Sequence, residues 1–116
     1  MSPKPSQNSQ PDMLSFLALG DSYTIGEGVQ HNQTWPYQLQ QALLAHQINL
    51  DNPSIVARTG WSSEELEIAL AQTELRDHYD LVTLLIGVND QYRGYSIENF
   101  TPVYQRLLGK ALTLVD

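Results

Sequence analysis

The sequence predicts an α/β protein whose parallel sheet is covered by helices on both faces. Three observations lead there. Apolar runs recur at Leu14–Leu19, Ser54–Arg58 and Leu81–Ile86, with the density of strands buried on both sides. Segments of helical periodicity separate and follow them, giving the alternation strand, helix, strand, helix, strand, helix. A short block containing glycine and polar residues follows each run, at the edge where sheets of this kind bind ligands.

Residues 1–12 (MSPKPSQNSQPD) are polar and proline-containing and read as a flexible leader, with residues 13–116 as a single folded body. Leu14-Ser15-Phe16-Leu17-Ala18-Leu19 is the first strand, and Gly20, Gly26 and Gly28 mark a loop after it. The first long helix is expected to start near Thr34, with Pro36 in its first turn and Trp35, Leu39, Ala42 and Leu43 on its buried face. Asn49, Asp51, Asn52 and Pro53 break it.

Ser54–Arg58 is the second strand. Ser62 and Glu65 then have the spacing of a capping box, opening a helix with Leu66, Ala69, Leu70 and Thr73 on one face. Leu81–Ile86 is the third strand, followed by a loop with Gly94 and Ser96. The last helix is expected from Thr101-Pro102. It carries two adjacent apolar rows: Val103, Leu107, Ala111, and Tyr104, Leu108, Leu112, Val115.

Composition narrows the function. The 116 residues are 41% hydrophobic, enough for one domain with a modest core. Thirteen acidic residues against six basic ones give a formal net charge of −7, which disfavours nucleic acid and anionic lipid as partners. There is no cysteine, so disulfides, thiolate metal sites and cysteine nucleophiles are excluded. No apolar stretch approaches the roughly 20 residues of a membrane span. With no convincing signal peptide, the default expectation is a cytoplasmic protein.

The polar blocks are Gly20-Asp21-Ser22-Tyr23, Thr59-Gly60-Trp61 and Gly87-Val88-Asn89-Asp90. Together they offer a hydroxyl nucleophile, a glycine N–H and a side-chain amide, the parts that acyl transfer needs. Each residue also has a plainer reading. Ser22 and Asn89 suit helix or turn caps, and Gly60 suits a turn. Asp21 is a poor base for its neighbour Ser22 and fits better as an acceptor of loop N–H groups, or as a substrate contact. Tyr23, Trp61 and Tyr92 suit either pocket lining or packing. Arg93 suits a substrate carboxylate or an acidic neighbour. His46 and His78 read as solvated, and His31, in the loop after Ser22, is the stand-in candidate for a base. The histidines and carboxylates have no metal-ligand spacing, and Gly26-Glu27-Gly28 lacks the lysine of a phosphate-binding loop, so neither metal nor cofactor is expected.

From Phe16 to Asn89 these blocks closely resemble the SGNH (or GDSL) hydrolase family of serine esterases and lipases. Ala57-Arg58-Thr59-Gly60-Trp61 and Gln91-Tyr92-Arg93-Gly94 are similar to a bacterial esterase branch. The resemblance implies a three-layer α/β/α fold with a flavodoxin-like sheet. It also implies Ser22 as nucleophile, the Gly60 N–H and the Asn89 side chain as oxyanion donors, and a small-molecule ester as substrate, such as a short acyl ester or an acetylated sugar.

The family's fourth element is an Asp-x-x-His that supplies the base. None follows Asn89, and no histidine follows His78. The chain is therefore expected to be the N-terminal portion of such a domain, cut after the third strand and its helix, and inactive or nearly so alone. In the family the third strand is central, so here one of its edges is expected to lie open and to favour self-association. A ligand-binding module on the same fold is the competing reading. A flavin or nucleotide binder would need the phosphate loop that is missing.

Overall fold

A computed structural model describes residues 13–115. The leader expected over residues 1–12 lies outside the described residues. The strands are β1 (Phe16–Gly20), β2 (Ser54–Ala57) and β3 (Leu81–Leu84). The α-helices are α1 (Ser22–Ile25), α2 (Trp35–Leu44), α3 (Ser63–Gln72), α4 (Val88–Tyr92) and α5 (Ile97–Val115).

The sheet is parallel, in the order β2-β1-β3. β1 is the central strand, and all five of its residues are buried. Its side chains alternate between two cores, as the two-residue period of a strand requires. Leu17 and Leu19 join Val56, Leu66, Leu70, Val103, Leu107 and Leu114, so α3 and α5 cover that face. Phe16 and Ala18 join Leu50, with Trp35, Leu39 and Leu43 of α2 packed against them. The continuous apolar run thus has its cause in helices on both sides of β1.

Local signals fix several ends. Ser62 caps α3 in a reciprocal capping box: its hydroxyl accepts from Glu65 N, and Glu65 Oε1 accepts from Ser62 N at 2.9 Å. Pro36 sits in the first turn of α2, where its missing N–H has no helical partner to lose.

Other features differ from expectation. Leu14 and Ser15 precede β1: Leu14 forms a lone bridge with Leu50, and Ser15 N donates to Asp80 Oδ2 at 2.7 Å. Ala42 is exposed, and α2 ends at Leu44, before the expected breakers. Its last residue, Leu44, is exposed and buries nothing against the sheet. The chain turns through Gln47 at φ 65°, with Ile48 N bonded to Leu43 O. Thr73 caps the end of α3 and is exposed.

α5 begins at Ile97, a turn before the expected start. Ser96 supplies the cap, its Oγ accepting from Asn99 N at 3.1 Å, and Pro102 falls inside the helix. Its first apolar row is buried with Leu114, but Leu108 and Leu112 in the second are 43% and 56% exposed. The helix has a partner on one side only. β3 is correspondingly half-buried throughout and, among the described residues, pairs with β1 alone. Among the described residues no helix is long and apolar enough to cross a membrane.

Candidate active site

The three polar blocks leave the sheet side by side. Gly20 is in register with Ala57, Leu19 with Leu84, and Leu85 N bonds Leu19 O at 3.0 Å. Neighbouring strands lie about 4.8 Å apart, so the segments after β1, β2 and β3 start from adjacent points on one edge.

Gly20 is required by packing. A Cβ there would stand 2.2 Å from Thr24 Oγ1 and 2.8 Å from Leu85 O. Asp21 follows as the cap of α1, its Oδ1 accepting from Tyr23 N at 3.0 Å, and it is buried. Its carboxylate is thus used by the loop, as the plainer reading had it. Ser22 opens α1 and is half-buried. Among the described residues, neither its Oγ nor its N–H has a hydrogen-bond partner.

Gly60 has φ +85°, a conformation that costs any other residue strain, and a Cβ there would face open space. Its N–H has no partner among the described residues. Its carbonyl accepts from Arg93 Nη2. The next carbonyl, of Trp61, accepts from Asn89 Nδ2 at 3.0 Å. That bond uses one of two amide hydrogens and orients the other.

α4 and the Gly60 loop are joined again by Asp90, which binds Ser63 at the start of α3. Arg93 Nη2 also lies 3.0 Å from Glu65 Oε1. The Glu65 carboxyl is held below its usual range, first by the Ser62 N–H and then by Arg93.

A family model for the GDSL-like lipase/acylhydrolase family matches residues 18–115. The chain belongs to this family.

Solved structures agree with the fold. The esterase AlinE4, of the SGNH-hydrolase family, superimposes with a TM-score of 0.74 at 25% identity, covering 87% of this chain and 54% of that one. The psychrotrophic esterase EstA from Pseudoalteromonas sp., in a structure inhibited by monoethylphosphonate, gives 0.65 at 25% identity, covering 84% and 53%. A G-D-S-L lipolytic protein from Veillonella parvula gives 0.66 at 19% identity, covering 87% and 54%. The chain spans about half the length of these structures. No curated protein matches it significantly.

The remaining residues of this GDSL-family chain divide clearly. Trp61 is half-buried against the main core, with the Arg58 guanidinium 6.0 Å from its ring centroid. Tyr23 and Tyr92 point into solvent, 64% and 88% exposed. His31 packs against Tyr37 with ring centroids 4.2 Å apart and the planes tilted by 51°. His46 lies exposed in the turn after α2. His78 Nε2 lies 3.4 Å from Asp80 Oδ1, an imidazole–carboxylate pair placed just before β3, at the sheet edge opposite Ser22. Among the described residues no cluster of three or more metal-ligating side chains occurs.

Sequence reasoning left Arg93 between a substrate and an acidic neighbour; the neighbour is Glu65. It missed Asp90 as the anchor of α3 and the unengaged N–H of Ser22. The latter was foreshadowed by Asp21, a cap residue that makes Ser22 the first residue of a helix.

Proposed function

We propose that this chain carries the nucleophile and oxyanion donors of a serine hydrolase acting on carboxylic esters. Residues 13–116 are then the N-terminal portion of the catalytic domain. The observation that carries this reading is the unengaged Gly60 N–H, on a loop tied to Asn89 and beside the strand that leads to Ser22.

Ser22 Oγ attacks the ester carbonyl and the carbonyl oxygen becomes an oxyanion. The Gly60 N–H and the second Asn89 Nδ2 hydrogen donate to that oxyanion, and the Ser22 N–H is a third donor at the same edge. The Ser22 Oγ proton passes to a base and from it to the departing alcohol as the tetrahedral adduct collapses, leaving an acyl group on Ser22 that water removes as the free acid. Asp21 does not serve as base, because its carboxylate caps α1. The His78–Asp80 pair lies beyond the length of β3, a separation of about 13 Å at 3.3 Å per residue. The base is therefore proposed to come from residues beyond these 116, and the 116-residue chain alone to be nearly inactive.

The substrate class is a small ester, a short acyl ester or an acetylated sugar. Tyr23 and Tyr92, exposed on the same edge, are available to contact it. The free side of β3 is proposed to support self-association of the isolated chain.

The test is Ser22→Ala in the full-length protein. It is expected to abolish hydrolysis of p-nitrophenyl acetate and labelling by a fluorophosphonate. Hydrolysis that survives the substitution overturns the reading. A ligand-binding module on this fold would show neither activity in the parent protein. Ser22-dependent turnover by the 116-residue chain alone would overturn its proposed inactivity.

A further inference from the structure

We infer that Arg93 is a positioning residue that anchors the loop carrying the Gly60 N–H. The inference rests on the reading of Gly60 as an oxyanion donor and adds to it a residue outside the reacting groups.

The Gly60 loop has little support of its own. Thr59 is exposed, and Trp61 N to Arg58 O at 3.3 Å is the backbone bond across the turn. A glycine at φ +85° without a Cβ has many alternative conformations within reach. The loop must be held from outside, and α4 provides that hold.

Arg93 Nη2 donates to Gly60 O, which holds the peptide plane following Gly60; the Gly60 N–H lies in the preceding plane, one Cα away, and is tethered through it. Asn89 fixes the next plane through Trp61 O. Arg93 is itself held by Glu65 Oε1 at 3.0 Å, and that oxygen also accepts from Ser62 N at 2.9 Å. The guanidinium therefore bridges the loop and the capped start of α3. Both contacts fall on the one nitrogen Nη2, whose two hydrogens are fixed in the guanidinium plane, a geometry that a lysine ammonium on a flexible stem does not reproduce.

An exposed ion pair adds little to stability, so a bridge of this kind is better explained by what it orients. A misplacement of about 1 Å in an active site costs about a hundredfold in rate, and a loosened donor costs part of that.

The experiment compares Arg93→Ala, Arg93→Lys and Ser22→Ala in the full-length protein, by p-nitrophenyl acetate kinetics and 15N backbone relaxation. Arg93→Ala is expected to lower kcat about tenfold or more, with KM unchanged. Arg93→Lys is expected to recover only part of that loss. The Gly60 amide is expected to fall from a rigid order parameter of about 0.85 to below about 0.6, while the α3 amides stay rigid.

A Gly60 amide that stays ordered in Arg93→Ala overturns the inference, and so does loosening that spreads through α3. An unchanged kcat in Arg93→Ala, with activity lost in Ser22→Ala, overturns the inference alone. Activity retained in Ser22→Ala, or absent from the full-length protein, overturns the proposed hydrolase. The relaxation data then still decide whether Arg93 orders the Gly60 peptide.

Discussion

Asp90 grips Ser63 with both carboxylate oxygens: Oδ1 accepts from the backbone N–H at 2.8 Å and Oδ2 from the hydroxyl at 2.7 Å. Both residues are buried. The contact places a carboxylate at the start of α3, where the helix has unpaired N–H groups and favours negative charge. It also locks α4 to the element that follows the Gly60 loop.

Removing that carboxylate leaves two buried donors without partners. Hydrogen bonds to charged groups contribute about 1.5–3 kcal/mol each, so Asp90→Ala is expected to cost about 3 kcal/mol after partial relaxation. Asp90→Asn keeps the shape, accepts from Ser63 N and can donate to Ser63 Oγ, so it should lose about half as much. Urea unfolding followed by circular dichroism measures both. Equal stability of Asp90→Ala and the parent would refute the anchoring role.

Gly20→Ala tests the turn that presents Ser22. The added methyl would meet Thr24 Oγ1 at 2.2 Å and Leu85 O at 2.8 Å. Thr24 is fully buried, and its Oγ1 accepts from Trp35 Nε1 at 3.3 Å, so it cannot retreat without breaking that bond. Overpacking of this kind costs about 1–3 kcal/mol. The expected result is a lower unfolding midpoint with a changed tryptophan emission. A variant with unaltered stability and emission would show that the turn is looser than its contacts imply.

Much of this architecture is legible in the chain because the signals are local. Phe16–Leu19 reads as doubly covered from apolar density alone, and the Ser62–Glu65 box names the start of α3 to the residue. α1 and α4 escape such reading because helices of four and five residues carry no periodicity. Pro102 misleads because proline is common at a helix start, whereas here Ser96 caps an earlier turn. The grip of Asn89, Asp90 and Arg93 on residues 60–63 joins positions 27–33 apart in sequence. Nothing local encodes it. The exposure of Leu108 and Leu112 is likewise a fact of packing, since apolar periodicity does not say whether both rows find a partner.

Acidification should weaken the fold. The Asp80 carboxyl is held below its usual range, chiefly by the Ser15 N–H, with His78 adding to the effect. Glu65 is lowered chiefly by the Ser62 N–H, and Glu67 chiefly by Arg106. In each case the unfolded chain takes up the proton at higher pH than the folded one, so protonation favours unfolding. Their contribution is fully present above the ordinary carboxylate values of about 4 and is lost as pH falls through the lowered folded values. Urea midpoints should therefore hold from about pH 7 to pH 5 and decline below about pH 4. Asp80→Asn should flatten the decline, and an identical acid limb in that variant would remove Asp80 from the account.

The last prediction concerns the open side of the sheet. β3 pairs with β1 on one edge, and its other edge has no strand partner among the described residues, beside Leu85, which is 48% exposed. On α5, Leu108 and Leu112 extend the exposed apolar surface. An uncovered strand edge next to apolar side chains is a template for pairing with another chain, and charge on the edge suppresses it. The weight-average mass of the 116-residue chain, measured by sedimentation velocity, should therefore rise with concentration. Leu85→Lys should keep the chain monomeric over a wider range, since the side chain is exposed and its charge would be brought against a second copy. Leu108→Lys separates the helix surface from the strand edge: dispersal by this change alone would assign the contact to α5. A chain that sediments as a monomer at every concentration would show that four half-buried residues are too short an edge to pair.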